Sequence, residues 1–225
     1  MNDVELSRRA PAPAVATAVK LLDALVARGG TATLDELTKA VGEPRSSIHR
    51  VLTTLAMADV VTRGDRRGGY RLGPRLVDWG SAFVRTVDLF EEFSQVARPL
   101  AHELNETVQL GVLDLPDVVF VANVDSSRAV RLATEVGRRL PAHATAAGKA
   151  LLAADPSLLD RVDALARLTP RTITSKKELA TVFEEIREKG YAVSVQEATE
   201  NLCCLAAPVH RAEHAVAALS ICIAA

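Results

Sequence analysis

Apolar side chains at helical spacing predict an amphipathic helix over residues 15–28, near the start of the chain. The apolar positions of this segment are Val15, Val19, Leu22, Leu25 and Val26. Gly29 and Gly30 follow, and glycine directly after an apolar stripe is a common helix end. The first predicted element of the chain is therefore a helix with one apolar face to bury.

Two further helices are predicted close behind the first. Thr33 with Glu36 three residues later fits a capping box, in which each side chain bonds the other residue's backbone. Gly42 ends that short helix, and we expect Pro44 at the first position of the next one, where an N–H would have no partner. The apolar stripe of this third helix is Ile48, Val51, Leu52 and Leu55. Its opposite face carries Arg45, Ser46, Ser47, His49 and Arg50.

A short hairpin with a basic tip is predicted after the third helix. Residues 60–62 and 70–72 have strand-like composition, and the segment between them contains three glycines and three arginines. Two helices joined by a tight turn, followed by such a wing, form the arrangement that places a helix in the major groove of DNA. The pattern therefore predicts a winged helix-turn-helix domain.

The distribution of charge supports a polyanionic partner for this region. The whole chain has a net charge of −1, yet residues 45–75 contain seven arginines and two aspartates, a net charge of +5. A basic segment on a nearly neutral chain indicates that one surface meets nucleic acid while the rest does not. A solvated arginine-rich hairpin is the alternative explanation. Winged helices also bind proteins, and the local charge argues against that use here.

The second half of the chain alternates strand-like and helix-like segments. Helical patterns cover residues 74–86 and continue to about residue 105, and further helices are predicted from Thr145, over 156–165 and over 178–189. Strands are predicted over 107–113, 118–124, 191–196, 203–209 and 215–223, with a further candidate at 130–133. Residues 115–117 form the turn of a hairpin. Antiparallel strands flanked by helices predict an α+β domain.

Composition excludes several classes of protein. The 225 residues are 48% hydrophobic and 24% charged, which is ordinary for a globular protein with one large or two small domains. No apolar run reaches the roughly 18 residues that a membrane span needs, and the first residues do not have a signal-peptide pattern. The three cysteines cluster near the end of the sequence. We therefore expect a cytoplasmic protein with free thiols and no membrane partner.

Several motifs in consistent order resemble the IclR family of transcription regulators. One of them is GEPRSSIHRVLTTL, residues 42–55, and another is RRLPAHATAAGKALLA, residues 138–153. The remaining motifs cover residues 33–37, 70–76, 168–174, 190–193, 204–209 and 217–220. The resemblance spans about residues 14–224. It implies an α+β protein with an N-terminal winged helix-turn-helix domain joined by a helix to a GAF-like effector-binding domain.

The resemblance also implies domain limits and functional residues. The expected parts are a flexible arm over 1–13, a DNA-binding domain over 14–73, a linker helix over 74–87 and an effector domain over 88–225. The expected DNA-binding residues are Thr33, Arg45, Ser46, Ser47, His49, Arg50, Arg66, Arg67 and Arg71. The expected effector-binding residues are Leu132, Leu140, Ala146, Ala147, Ser194, Leu202, Cys204, Ser220 and Cys222.

Two departures from the family's pocket pattern bear on the effector. Ser194 stands where members that bind small oxo-acids have an acidic residue, and Cys222 replaces the second serine of a Ser-x-Ser pair. Both replacements make the pocket less polar. Ala146 and Ala147 lie at a predicted helix start, where free N–H groups suit a carboxylate. We therefore expect a carboxylic acid with a more apolar body than pyruvate or glyoxylate, such as an aromatic or branched acid.

Catalysis and metal binding are two other classes of function that the sequence suggests. Cys203 or Cys204 with His143 resembles a nucleophile and its base, but the cysteines lie in an apolar strand, where thiols are usually inert. His210 and His214 have a metal-ligand spacing only on a helix, and this segment is expected to be a turn. The sequence therefore predicts a protein that is no enzyme and that holds no metal or cofactor.

The resemblance implies a homodimer or tetramer that binds double-stranded DNA. Two recognition helices about 34–36 Å apart call for a near-palindromic operator. Leu76, Val77, Trp79 and Phe83 on the linker helix are candidates for an apolar dimer seam, and the alternative is that they pack only within the chain. A repressor is favoured over an activator. The rival hypothesis is a sensor module whose winged helix regulates a protein partner without binding specific DNA.

Overall fold

The chain divides into two compact units, residues 1–86 and 87–225. The structure, a computed structural model, describes residues 12–64, 69–86, 89–127 and 135–224, without the side chains of 83–86. Each unit is described by itself below.

The first unit contains four helices and a three-stranded antiparallel sheet. Its elements are α1 (Pro13–Val26), β1 (Thr31–Thr33), α2 (Leu34–Val41), α3 (Arg45–Met57), β2 (Val61–Arg63), β3 (Gly69–Leu72) and α4 (Arg75–Thr86). The strand order is β1-β3-β2, so β3 lies between its two partners. Leu21, Leu25, Leu37, Ile48 and Leu52 are fully buried in the core between the helices and the sheet. This is the predicted winged helix-turn-helix fold.

Local interactions place the turn between α2 and α3. Thr33 and Glu36 form the predicted capping box, in which the Thr33 backbone N–H donates to Glu36 Oε2 at 2.7 Å. These bonds from Thr33 lower the pKa of Glu36, because they favour its charged form. Gly42 ends α2 with φ = 73°, a left-handed conformation that suits glycine. The predicted capping box at the start of α2 and the predicted glycine at its end are therefore both confirmed.

Three details of the first unit differ from expectation. Pro44 is the N-cap of α3 and not its first residue, because its ψ of 135° is extended. The α1 face that packs inward contains Leu21 and Leu25, while Val15, Val19 and Val26 are exposed, so only part of the apolar stripe meets this unit's core. Strand β1 was not predicted. It is only three residues long and is held by pairing with β3, which lies far away in sequence.

The second unit is an α+β domain built on a six-stranded antiparallel sheet. Its elements in chain order are α5 (Leu89–Leu104), β4 (Thr107–Asp114), β5 (Asp117–Val124), β6 (Arg139–Pro141), a 3₁₀ turn (Ala142–Ala144), α6 (Ala146–Ala154), a 3₁₀ helix (Pro156–Arg161), α7 (Lys176–Lys189), β7 (Ala192–Val195), β8 (Leu202–Arg211) and β9 (His214–Ala224). The strand order is β6-β5-β4-β9-β8-β7.

The two faces of this sheet pack against different helices. Ala217 and the β4 residues Val108 and Leu110 pack with α5, whereas the neighbouring Ala218 packs with α6 and α7. The alternation arises because successive side chains of a strand point to opposite faces. The α+β architecture with a GAF-like fold, expected from the sequence, is confirmed.

Two predictions for the second unit are corrected. The helix expected over 156–165 exists only as the 3₁₀ helix, which ends at Arg161. Beyond it, the Ala166 carbonyl bonds the His143 ring at 3.0 Å. Strand β6 was not predicted, since its three residues pair with β5 only across a long loop. The strand candidate at 130–133 lies outside the described residues.

Helix α6 is the innermost element of the second unit. Every residue from Ala146 to Ala153 is buried, and the small side chains allow the helix to lie close to its neighbours. A Cβ atom at Gly148 would lie 2.2 Å from the carbonyl oxygen of Ala142, which is a backbone atom. Gly148 is therefore the point of closest approach between α6 and the preceding turn.

Replacing Gly148 with alanine should destabilise the protein by about 1–3 kcal/mol, because the backbone of α6 must shift to admit the methyl group. Gly80→Ala is the matched control. Nothing in the described structure lies within 4 Å of a Cβ built there, and alanine favours a helix over glycine by roughly 0.5–1 kcal/mol. Urea unfolding followed by circular dichroism measures both changes. Equal midpoints for Gly148→Ala and the wild type would contradict this packing.

Candidate DNA-binding face and effector pocket

Helix α3 presents a polar, basic face to solvent. Ile48 and Leu52 are fully buried on its inner side, while Ser46, His49 and Arg50 are exposed on the outer side and Ser47 is half-buried. The inward stripe fixes the rotation of the helix about its axis. The described surface therefore leaves the predicted α3 contacts accessible to a ligand.

The other predicted DNA contacts lie around this face in different settings. Arg45 forms an ion pair with Asp35 of α2, and both side chains are largely exposed, so the pair contributes little stability. Arg71 lies on β3, where its Nε donates to the Thr62 hydroxyl at 3.0 Å. The Thr33 hydroxyl is engaged in the capping box. Arg66 and Arg67 lie outside the described residues.

A concave pocket opens on the sheet face that packs against α6. The space between its lining atoms is about 510 Å³, including space open to solvent at the mouth. It is lined by Gln109, Phe120, Arg138, Leu140, Thr145, Ala146, Ala147, Ser194, Ala198, Thr199, Leu202, Cys204, Ser220 and Cys222. The sheet supplies one wall, and the start of α6 and the loop over 196–201 supply the others.

The strand register brings the polar residues of the sheet wall together. Gln109 of β4 lies directly opposite Ser220 of β9, and Cys204 of β8 lies directly opposite both Cys222 and Ser194. Cys204 donates to Cys222 Sγ at 3.1 Å, and Cys222 donates to Gln109 Oε1 at 3.2 Å. Ser194 instead donates to the Ala144 carbonyl at 3.1 Å. The wall is therefore a continuous patch of thiol, amide and hydroxyl groups.

The start of α6 forms the end of the pocket opposite this wall. The Thr145 hydroxyl caps the helix by accepting from the Gly148 N–H at 3.0 Å. The N–H groups of Ala146 and Ala147, the first two of the helix, have no acceptor within the helix. Together with the positive end of the helix dipole, they suit an anionic group.

The structure brings together eight of the nine predicted effector residues. Leu140, Ala146, Ala147, Ser194, Leu202, Cys204, Ser220 and Cys222 all line the pocket. Leu132 lies outside the described residues. Their role in binding stays a prediction.

The pocket residues that were not predicted from the sequence are Gln109, Phe120, Arg138, Thr145, Ala198 and Thr199. The most informative of these is Arg138, because the pair Arg138 and Arg139 gives no sign of which side chain faces inward. Arg139 points away and pairs with Asp114 and Asp117, which raise its pKa. Only the pairing of Arg139 with Val119 in the sheet shows which of the two arginines faces the pocket.

A buried ion pair holds the loop that covers the pocket. Lys149 Nζ of α6 lies 2.6 Å from Glu197 Oε1 and donates to the Val193 carbonyl at 2.7 Å. The hydroxyls of Thr169 and Thr172 donate to the Glu197 carbonyl. Since Glu197 directly precedes Ala198 and Thr199, these bonds fix the position of both pocket residues.

The residues weighed for catalysis and metal binding lie in other settings. His143 is 1% exposed, its Nε2 bonds the Ala166 carbonyl, and burial lowers its pKa. Cys204 contacts Cys222, and the neighbouring Cys203 pairs across the sheet with Ile223. His210 and His214 lie on the two strands of the β8–β9 hairpin and not in the turn where they were expected, so they share no helix face. No group of three metal-ligating side chains occurs within residues 12–64, 69–86, 89–127 and 135–224.

A winged helix-turn-helix unit followed by an α+β unit is typical of a DNA-binding regulator, and comparison with known proteins gives its family. The family model for the IclR helix-turn-helix domain matches residues 14–65, and the model for the bacterial transcriptional regulator IclR C-terminal matches residues 81–225. The chain belongs to the IclR family of DNA-binding transcriptional regulators, whose members are not enzymes.

Individual relatives agree with this assignment. The chain is 31% identical to the transcriptional repressor IclR of Escherichia coli K12 over 95% of this chain and 86% of the repressor. A solved IclR regulator from Alicyclobacillus acidocaldarius has a TM-score of 0.84 and 29% identity, covering 95% of this chain and 88% of its own. An IclR homologue from Microbacterium hydrocarbonoxydans was solved with 4-hydroxybenzoate. It has a TM-score of 0.81 and 28% identity, and the match covers 94% of this chain and 89% of the homologue.

In the described part of the chain, no helix combines the length and the apolar character that a membrane crossing requires.

Removing the buried cation should destabilise the second unit strongly. Lys149→Met leaves the Glu197 carboxylate buried without its partner, which should cost about 3–5 kcal/mol. Lys189→Met is the matched control, since its pair with Glu185 is more than half exposed and should contribute little to stability. Chemical unfolding of the three proteins provides the comparison. Similar losses for both variants would show that the buried pair does not anchor the pocket loop.

Proposed function

We propose that this protein is a repressor whose operator binding is controlled by a small aromatic carboxylic acid. The observation that carries the proposal is a pocket with donors for an anion at the start of α6 and with Phe120, Leu140 and Leu202 in its lining beside the polar patch of the sheet. The winged helix-turn-helix unit supplies DNA binding, and the family assignment also supports this activity. A DNA target places the protein in the cytoplasm.

A carboxylate fits the pocket at the start of α6. The N–H groups of Ala146 and Ala147 offer two hydrogen bonds, and Arg138, half-buried at the pocket's edge, offers a positive charge. Hydrogen bonds that involve a charged group are roughly twice as strong as neutral ones. Glu197, the nearest acid in the pocket loop, is neutralised by Lys149, so the anion meets little repulsion.

The remaining walls favour an apolar body for the acid. Phe120, Leu140 and Leu202 supply a ring and two branched side chains, and aromatic rings bind well against such surfaces. Ser194 donates its O–H to the Ala144 carbonyl, so this hydroxyl is not available to donate to a carboxylate. The relative solved with 4-hydroxybenzoate supports an aromatic acid as effector.

The DNA target is a near-palindromic operator bound by a dimer. Helix α4 exposes Val77 and Trp79, with 69% and 54% of their surfaces accessible in the single chain, and Arg75 lies over the Trp79 ring at 5.9 Å. Leu76 is half-buried, and the side chain of Phe83 lies outside the description. An apolar helix face of this kind suits a second copy of the chain, and dimers can pair further into tetramers.

The acid acts on DNA binding only as far as it binds one arrangement of the dimer better than another. The repressor role is supported by the relative named as a repressor, the IclR of Escherichia coli. Release of the operator on binding the acid is the direction that matches induction of a repressed gene.

Arg50→Ala should weaken specific operator binding by about 1–3 kcal/mol if the guanidinium contacts a base, and Arg45→Ala should do the same. Arg161→Ala is the control, because this exposed arginine lies in the second unit. Gel-shift titrations at several salt concentrations measure the losses. Wild-type affinity in both α3 variants would remove α3 from the DNA interface.

The same titration decides between DNA and a protein as the partner of the winged helix. A DNA-binding protein loses affinity steeply as salt rises, because it releases counterions from the phosphates. Arg66→Ala and Arg67→Ala should weaken binding to all sequences and flatten the salt dependence. Absence of salt-sensitive binding to any duplex would favour the rival module that acts through a protein.

Arg138→Gln should weaken binding of 4-hydroxybenzoate by about 1.5–3 kcal/mol, because a hydrogen bond to a charged group is lost. Arg139→Gln is the matched control on the adjacent residue, which points away from the pocket and should leave affinity unchanged. Calorimetry with 4-hydroxybenzoate and with pyruvate measures both effects. Tight pyruvate binding without binding of the larger acid would refute the proposed class of effector.

A further inference from the structure

Two cysteines meet inside the pocket of this chain. Cys204 and Cys222 lie directly opposite each other on the antiparallel strands β8 and β9, with 3.1 Å between their sulfur atoms. Both side chains line the pocket, and Cys222 is only 5% exposed to solvent. The sulfur atoms are therefore held together by the sheet and reached through the pocket.

The backbone geometry permits a covalent bond between these sulfur atoms. Directly opposed residues of an antiparallel pair have Cα atoms about 4.5–5.5 Å apart. Disulfides form across Cα separations of about 4.4–6.8 Å. Cys203 cannot substitute for Cys204, because adjacent residues of a strand point to opposite faces and Cys203 pairs with Ile223.

The environment of the pair favours reaction at Cys222. The S–H of Cys204 donates to Cys222 Sγ and lowers the pKa of the Cys222 thiol, with smaller support from Ser220 and the charge of Arg138. The same bond raises the pKa of Cys204. A thiolate is the form of cysteine that reacts with oxidants, so the bond from Cys204 favours Cys222 as the thiol that reacts first, once Cys222 gives up the proton that it donates to Gln109.

We propose that Cys204 and Cys222 form a reversible disulfide on exposure to a peroxide, which makes the pocket a site of redox modification. The Cys222 thiolate attacks one peroxide oxygen and breaks the O–O bond, giving a sulfenic acid and hydroxide. Cys204 then attacks the Cys222 sulfur and displaces the second oxygen, so that two thiols and hydrogen peroxide yield one disulfide and two waters. Cytosolic disulfides are typically transient and redox-sensing, which fits a reversible bond.

The bond would change the wall that an effector meets. It removes the donation from Cys222 to Gln109 and ties β8 to β9 at the centre of the pocket. Formation of the bond does not depend on the proposed function. Only an effect of oxidation on operator binding would rest on it.

The test counts thiols in the full chain after treatment with hydrogen peroxide. The reduced protein is oxidised with a stoichiometric amount, unfolded, alkylated with N-ethylmaleimide and weighed by mass spectrometry. The wild type should fall from three alkylated thiols to one and remain monomeric on a non-reducing gel, and dithiothreitol should restore all three. Peptide mapping should link the segment containing residues 203–204 to the segment containing Cys222.

Three variants assign the bond to one pair. Cys203→Ser should still lose two thiols, whereas Cys204→Ser and Cys222→Ser should each keep both remaining thiols. Cys222→Ser places a serine of similar size beside Ser220, and the wild-type peptide map stands even if a variant fails to fold. Retention of three thiols by the wild type, irreversible gain of oxygen atoms, links between chains, or loss of the bond in Cys203→Ser would each overturn the proposal.

Discussion

The burial of α6 is the constraint on which the pocket depends. A nine-residue helix made largely of alanine can lie against the sheet and the preceding turn at the distance set by Gly148. That position places Ala146 and Ala147, the first two residues of the helix, in the lining of the pocket. It also takes Lys149 out of water, and a buried ammonium is tolerated only with a partner. Glu197 meets this need, and the pairing fixes the loop that covers the ligand site. Helix position, pocket shape and loop order are therefore consequences of one packing arrangement.

Local signals in the sequence were sufficient where the structure is made by neighbouring residues. The capping box of Thr33 and Glu36, the left-handed Gly42 and the buried stripe of Ile48 and Leu52 depend on contacts within about one helical turn. The family motifs added the pocket residues of α6, β8 and β9, which patterns alone did not identify.

Sequence reasoning was insufficient where long-range pairing decides the outcome. Strands β1 and β6 contain three residues each and exist only because distant strands bind them. The helix expected over 156–165 is a 3₁₀ helix that ends at Arg161. Arg138 and Cys222 became informative only when the register showed what lies beside each of them. No local pattern distinguishes an arginine that faces a ligand from one that faces solvent.

In the proposed regulation, an aromatic acid bound in the second unit controls binding of the first unit to DNA. Footprinting of the DNA upstream of the protein's own gene, with and without 4-hydroxybenzoate, tests this regulation. We expect protection of two half-sites related by a near-palindrome, and loss of that protection when the aromatic acid is added but not when pyruvate is added. A footprint that no carboxylic acid alters, or the absence of any footprint, would contradict it.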